Sequence, residues 1–279
     1  MGQSIDDNEL RMLSQRMDIV RPILFTGAGF SYGATNGNNN PLPLGNDLKD
    51  ILLTKFIGYK KESSEYIELH AQSLSDVYEY CENSFTPEEA ADFLKELFSE
   101  CTPKNYHSII AGYNWKKIYT INIDDLMERS SKLGKFVIQN QRRRVTSYNV
   151  DRKIEYIKLH GCVNNPNLGF IFSTSSYIDL MASGGDYRFQ SLSTDLQTED
   201  FVFIGTEMNE IDISFFLKLQ KHGGDSRNGQ LYFINPKPTP IFESKIKKFG
   251  GHIIRMTCEE FAEWLKSCLL YTSDAADDL

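Results

Sequence analysis

The sequence predicts an α/β protein built on a doubly wound parallel sheet, with a small helical module inserted after the first strand. Three observations lead there. Short runs rich in β-branched and aromatic residues alternate with longer stretches of helical period, the pattern of a parallel sheet covered on both faces. The first apolar run, "ILFTGAGFS" (23–31), has the length of a buried strand and stops on two glycines. Residues 28–115 separate it from the second strand, far more chain than one crossover helix needs.

Taken in order, the expected strands are "PILFTG" (22–27), "KKIYTIN" (116–122), "YIKLHG" (156–161), "FVFIGT" (201–206), "QLYFINP" (230–236) and "HIIRM" (252–256), with "KFVIQN" (135–140) a seventh candidate. Between the first two, "GNDLKDILLTKFI", "SLSDVYEYCENS", "TPEEAADFLKELFSE" and "NYHSIIAGY" read as helices of a module spanning about residues 46–114. Thr86-Pro87-Glu88-Glu89 is a helix start: Thr86 is the N-cap, proline occupies the first turn and Glu89 the capping-box position. "CEEFAEWLKS" (258–267) is an amphipathic helix, and no internal repeat is visible. The closing "CLLYTSDAADDL" (268–279) resembles the translation of a sequencing adapter. The expectation is therefore one domain over residues 1–267, an artefactual tail over 268–279, and a native chain that continues further.

Composition narrows the function classes. The 279 residues are 41% hydrophobic and 24% charged, ordinary for a globular protein. A net charge of −8 argues against broad binding to nucleic acid or anionic membranes, while leaving room for a local basic pocket. No apolar run reaches membrane-span length, and "MGQSIDDNEL" lacks a secretory pattern. The five cysteines (Cys81, Cys101, Cys162, Cys258, Cys268) form no C-x-x-C pair, which points to a reducing cytoplasm rather than a disulfide framework.

The chemistry-bearing residues gather at strand ends. A strand running through a Gly-rich turn into a helix start offers backbone N–H groups and a helix dipole to a phosphate, and glycine removes the Cβ that would hold it away. The dinucleotide spacing G-x-G-x-x-G is incomplete, because Tyr32 stands where the third glycine belongs. "YTINIDDL" puts Asn122 and Asp124 just past the second strand, "KLHG" puts His160 past another, and "IGTEM" and "INPKP" end two more. Ligands of open α/β sheets bind outside the carboxyl ends of the strands, so these side chains face one crevice.

In that order, "GAGFS", "TINIDDL", "KLHG", "FIGT" and "INP" resemble the motifs of the sirtuin-like NAD-binding domain, a Rossmann-like fold, over roughly residues 19–257. "TPKNYHSIIAGYNWKKIYTINID" is similar to the sirtuin segment leading into the Asn/Asp strand. "NNPLPLGNDLKDIL" and "FIGTEMNEIDISFFL" look more like the bacterial anti-phage defence branch, whose members hydrolyse NAD, than like the deacylases. The chain also departs from the deacylases. Their four-cysteine zinc module is replaced by a stretch holding only Cys162, so no zinc is expected, and "YGAT" stands where they carry Pro-Asp-Phe-Arg.

The resemblance implies NAD as substrate and a role for each residue. Asn122 would orient the ribose or the attacking water, and His160 would act as general base, a task suited to a group titrating near neutrality. Asp124 would bond ribose hydroxyls or fix Asn122. Gly27, Ala28 and Gly29 would take the diphosphate with Ser31 donating beside them, and Thr206 and Asn235 would receive the adenosine half. It further implies a homo-oligomer with an appended C-terminal sensor module. A protein deacylase or ADP-ribosyltransferase using the same pocket, and a non-catalytic NAD or ADP-ribose sensor, are the alternatives. His107 reads as structural; His70, His222 and His252 as surface or core filling; Arg142, Arg143 and Arg144 as a solvated face; the aromatics of "FLKELF" and "DISFFLKL" as core.

Overall fold

The computed structural model describes residues 5–132, 134–145, 153–183, 185–208, 217 and 228–277. The expected segments "DISFFLKL", apart from Leu217, and His222 lie outside them. All seven expected strands are present: β1 (Ile23–Thr26), β2 (Ile118–Thr120), β3 (Phe136–Gln139), β4 (Ile154–Lys158), β5 (Phe201–Ile204), β6 (Leu231–Ile234) and β7 (His252–Ile254). Six lie inside their expected runs, and β4 starts two residues before its run and ends three before the run does. They form one sheet in the order β3-β4-β2-β1-β5-β6-β7, every pair parallel.

Alternation along the strands divides the core in two, because successive side chains point to opposite faces. Leu24, Ile118, Tyr156, Val202, Ile204, Tyr232 and Ile254 enter one buried cluster; Ile23, Phe25, Tyr119, Ile157, Phe201, Phe203 and Phe233 enter the other. The first face is covered by α1 (Ile5–Met17), by the helices between β1 and β2, and by α11 (Cys258–Asp277). The second is covered by α8 (Thr174–Ser183), α9 (Tyr187–Thr198) and α10 (Pro240–Phe249). Here Phe203 stacks on Phe233 at 4.4 Å and lies 5.1 Å from Phe25, tying the central strands together.

The chain between β1 and β2 is helical, as expected: α2 (Gly45–Ile51, running into a wider turn over Leu52–Phe56), α4 (Leu74–Glu82), α5 (Pro87–Phe98) and α6 (Asn105–Gly112). It also holds α3 (Ser64–His70), which was not expected and is capped by Ser63 accepting from the Tyr66 N–H. The α5 start is built as its sequence indicated. Thr86 Oγ1 accepts from the Glu89 N–H at 3.2 Å, and Glu89 Oε2 accepts from the Thr86 N–H at 2.7 Å. The expected helix "CEEFAEWLKS" is the start of α11, which continues to Asp277.

Strand order places the binding edge. From β1 the sheet grows one way through β2, β4 and β3; the chain then crosses to the other side of β1 and continues through β5, β6 and β7. The gap beyond the carboxyl ends of β1 and β5 is therefore the topological switch point. The turn after β1 and the loop after β5 interlock there. Gly27 N–H donates to Ile204 O at 2.9 Å and Gly29 N–H to Gly205 O at 2.8 Å. A Cβ on Gly27 would stand 2.7 Å from Gly205 O, one on Gly29 2.9 Å from Gly205 Cα, and one on Gly205 (φ +70°) 2.1 Å from Phe30 N.

Gly205→Ala is accordingly expected to cost about 3 kcal/mol or more, a fall of roughly 6 °C or more in the thermal midpoint. Gly250→Ala is the control: it has a similar φ of +73° at the α10 C-cap but open space around it, so its cost should be about 1 kcal/mol. Equal midpoint losses by circular dichroism would contradict the interlock.

Candidate active site at the carboxyl edge

A cleft of about 1150 Å³ opens over the switch point. Its floor comes from the loops after β1, β5 and β6, including Ala28, Gly29, Thr206 and Asn235; the starts of α2, α4 and α11 wall it in. The volume is of the size that holds a dinucleotide-scale ligand. Asn122, Asp124, Ser31 and His160 do not line it and are buried close to the same edge. The residues singled out by sequence thus fall into two sets, one on the cleft surface and one beneath it.

The lower set is a chain of hydrogen bonds. Asn122 stands two residues beyond Thr120, whose Oγ1 accepts its backbone N–H at 3.0 Å. Its Nδ2 donates to Gly27 O and to Ser31 Oγ, each at 3.0 Å. Ser31 Oγ in turn donates to Asp124 Oδ2 at 2.7 Å, and Asp124 Oδ1 accepts the Leu126 N–H at 3.1 Å, opening α7 (Leu126–Arg129). Both amide hydrogens of Asn122 are therefore spent on holding the side chain, and its Oδ1 is the atom that can still accept a bond. Both oxygens of Asp124 are engaged within the fold.

A buried ammonium sits under this chain. Lys158, fully buried, donates to Asp124 O and to Glu128 Oε1, the latter at 3.0 Å. Burial works against its charge, but Glu128, Cys162 and Asp124 outweigh that and raise its pKa. Burial also raises the Asp124 and Glu128 carboxyls, with Lys158 opposing. One carboxylate and one main-chain carbonyl on a buried ammonium make a cluster that is costly to open and rigid when closed.

His160 stands level with Asn122. Thr120 of β2 pairs with Lys158 of β4, and each functional residue lies two positions further on, on adjacent parallel strands whose spacing is roughly 5 Å. The imidazole is 3% exposed and meets the ring of Tyr177 edge to face, centroids 5.4 Å apart and planes at 77°. Tyr177 does line the cleft, so it lies where the two sets meet.

In the upper set, the turn N–H groups are largely used. Gly27, which is buried and does not line the cleft, donates to Ile204 O, and Gly29 and Phe30 donate to Gly205 O and Gly27 O, so the turn presents Ala28 and Gly29 to the cleft with nothing larger than a methyl group. Thr206 Oγ1 accepts the Met208 N–H, and Asn235 Oδ1 accepts the Lys237 N–H, both at 3.0 Å, fixing their rotamers at the cleft floor.

His107 holds the turn from below. Nδ1 accepts the Lys104 N–H at 2.9 Å, so Nε2 carries the proton and donates to Phe30 O at 2.8 Å. Its reading as a structural residue stands. His70 pairs with Asp50 and His252 with Glu9. Arg144 pairs with Glu155, while Arg142 and Arg143 are exposed. Among the described residues no group of three or more His, Cys, Asp or Glu is placed to hold a metal ion. None of the described helices is long and apolar enough to cross a membrane.

Residues 116–254 match the family described as the SIR2-like domain. The chain carries a SIR2-like domain. The matched span runs from just before β2 to the end of β7, so it includes Asn122, Asp124, His160, Thr206 and Asn235 and leaves out the 27–31 turn and the helical module. SIR2-like domains bind NAD and are generally NAD-dependent enzymes. No curated protein matches the chain. Sequence reasoning about this SIR2-like domain missed the cleft wall: Asn46, Ser73 and Thr257 come from helix starts far apart in the chain and share no motif.

The His107 environment gives a pH signature. Burial is the main cause that holds its pKa down at about 4, against an ordinary 6.5. Between those values the unfolded chain binds the proton and the folded one does not. Stability is thus complete above about pH 6.5 and lost as pH falls toward 4, by roughly 3 kcal/mol at most. Urea unfolding of His107→Gln should show lower stability at pH 7 and a shallower loss over this window; an unchanged slope would contradict the assignment.

Proposed function

We propose that this domain hydrolyses the glycosidic bond of NAD, releasing nicotinamide and ADP-ribose, as the effector of a bacterial anti-phage defence system. The observation that carries the reading is the chain Asn122–Ser31–Asp124 with His160 level beside it, under a cleft floored by Ala28, Gly29, Thr206 and Asn235.

Nicotinamide in NAD is a cationic leaving group, so its bond to ribose C1′ breaks through an oxocarbenium-like state. The electron pair of that bond departs with the pyridine nitrogen and neutralises it. A water oxygen bonds to C1′, and its proton passes to His160 as general base. Asn122 Oδ1, with its amide hydrogens committed, is pre-set to orient that water or a ribose hydroxyl, and Ser31 and Asp124 act by holding Asn122. The low-bulk turn of Gly27, Ala28 and Gly29 admits the diphosphate, while Thr206 and Asn235 face the adenosine half. The resemblance to the defence branch extends the reading to a cytoplasmic homo-oligomer joined to a sensor module.

Purified protein incubated with NAD should release nicotinamide and ADP-ribose, followed by chromatography. His160→Ala should be about 10²–10⁴-fold slower while still binding ADP-ribose, with Asn122→Ala similarly impaired. Full activity of His160→Ala would remove the histidine from the mechanism. Formation of O-acetyl-ADP-ribose only when an acetylated peptide is supplied would favour deacylation instead.

A further inference from the structure

The segment leading into α8 is clamped by the helical module. Tyr78 of α4 packs against Phe172 at 5.1 Å. On either side of Tyr78 on α4, Asp76 Oδ1 accepts from Thr174 Oγ1 at 3.0 Å, and Glu79 Oε2 accepts the Ser175 N–H at 3.1 Å. Tyr177 follows directly on α8, 8% exposed, with its ring edge to face against His160. Phe172 and Tyr177 both line the cleft, whereas His160 does not. A direct chain of contacts therefore runs from α4, through Thr174 and Ser175, to the imidazole.

We propose that Tyr177 is a positioning residue for His160, and that α4 of the helical module sets its place through Asp76 and Glu79. The proposal rests on the NAD-hydrolase reading for its kinetic consequence only. His160 lies two residues beyond the end of β4, its carbonyl accepting the Ile171 N–H at 3.0 Å, so its main chain is fixed and the orientation of its ring is set by side-chain contacts, that with Tyr177 among them. An aromatic edge at 5.4 Å favours one orientation over others. A general base must hold its nitrogen within hydrogen-bond reach of the water, and small displacements are costly in rate. Tyr177 also borders the cleft, so a ligand whose reacting end reaches His160 passes its ring.

Two readouts test this, one without substrate. In the NMR spectrum of the free protein, the His160 Hε1 signal, assigned by its loss in His160→Gln, should move in Tyr177→Leu and in Thr174→Val and stay nearly in place in Tyr177→Phe. In turnover, Tyr177→Leu should lower kcat about 10–100-fold with KM for NAD changed by less than about threefold, and Tyr177→Phe should recover to within about threefold of wild type. Thr174→Val, which removes one hydroxyl at the α4 clamp, should show a smaller kcat loss in the same direction. An unmoved His160 signal in Tyr177→Leu and Thr174→Val would overturn the proposal. So would a raised KM with unchanged kcat, which makes the ring a substrate wall, or a Tyr177→Phe as slow as Tyr177→Leu, which makes the hydroxyl the active part. Signals that move as expected in a protein that leaves NAD intact would support the positioning contact and count against the hydrolase reading alone.

Discussion

Where Gly29 N–H meets Gly205 O, two loops from opposite sides of the switch point come close enough that neither can carry a Cβ. That approach sets the height of the 27–31 turn. Its height decides where Gly27 O and Ser31 Oγ stand, and both accept from the amide of Asn122. His107 supports the same turn through Phe30 O from the side of the helical module. One backbone contact between β1 and β5 thus governs the cleft floor above it and the polar chain below it.

The two layers at the edge answer different physical demands. A cleft that admits a charged ligand needs exposed main chain and little side-chain bulk, which the glycines and Ala28 provide. A group that must act on one atom needs a fixed rotamer, and buried polar groups are rigid only when satisfied. Asn122, Ser31 and Asp124 meet that demand by satisfying one another, with Lys158 and Glu128 beneath them. His160 in addition meets the ring of Tyr177, on an element tied to the helical module.

Much of this could be read from the sequence, and the failures have physical causes. The central strands β1, β5 and β6 were legible because a parallel sheet buried on both faces demands unbroken apolar runs, while the half-buried edge strand β3 left the shorter run in "KFVIQN". Thr86 and Glu89 marked a helix start through local bonds that need no tertiary context. The glycines were legible as a special turn but not by cause, because a packed loop and an approaching phosphate both select against Cβ. The α3 helix escaped notice because its seven residues are too few to show a helical period, and of its apolar side chains Ile67 is exposed. Tyr177 carried no signal at all. Its meaning comes from lying against His160, and contacts between a strand end and a later helix leave no spacing in the chain.

The central proposal is that one cleft binds the nucleotide and that the reacting ribose reaches Asn122 and His160 buried beside it. The structure of the protein bound to ADP-ribose measures this most directly. The account predicts the diphosphate over Ala28–Gly29 and Gly205–Thr206, the adenosine toward Asn235, and the far ribose turned to Asn122 and His160. ADP-ribose bound outside this cleft, or within it with the far ribose turned away from Asn122, would contradict it.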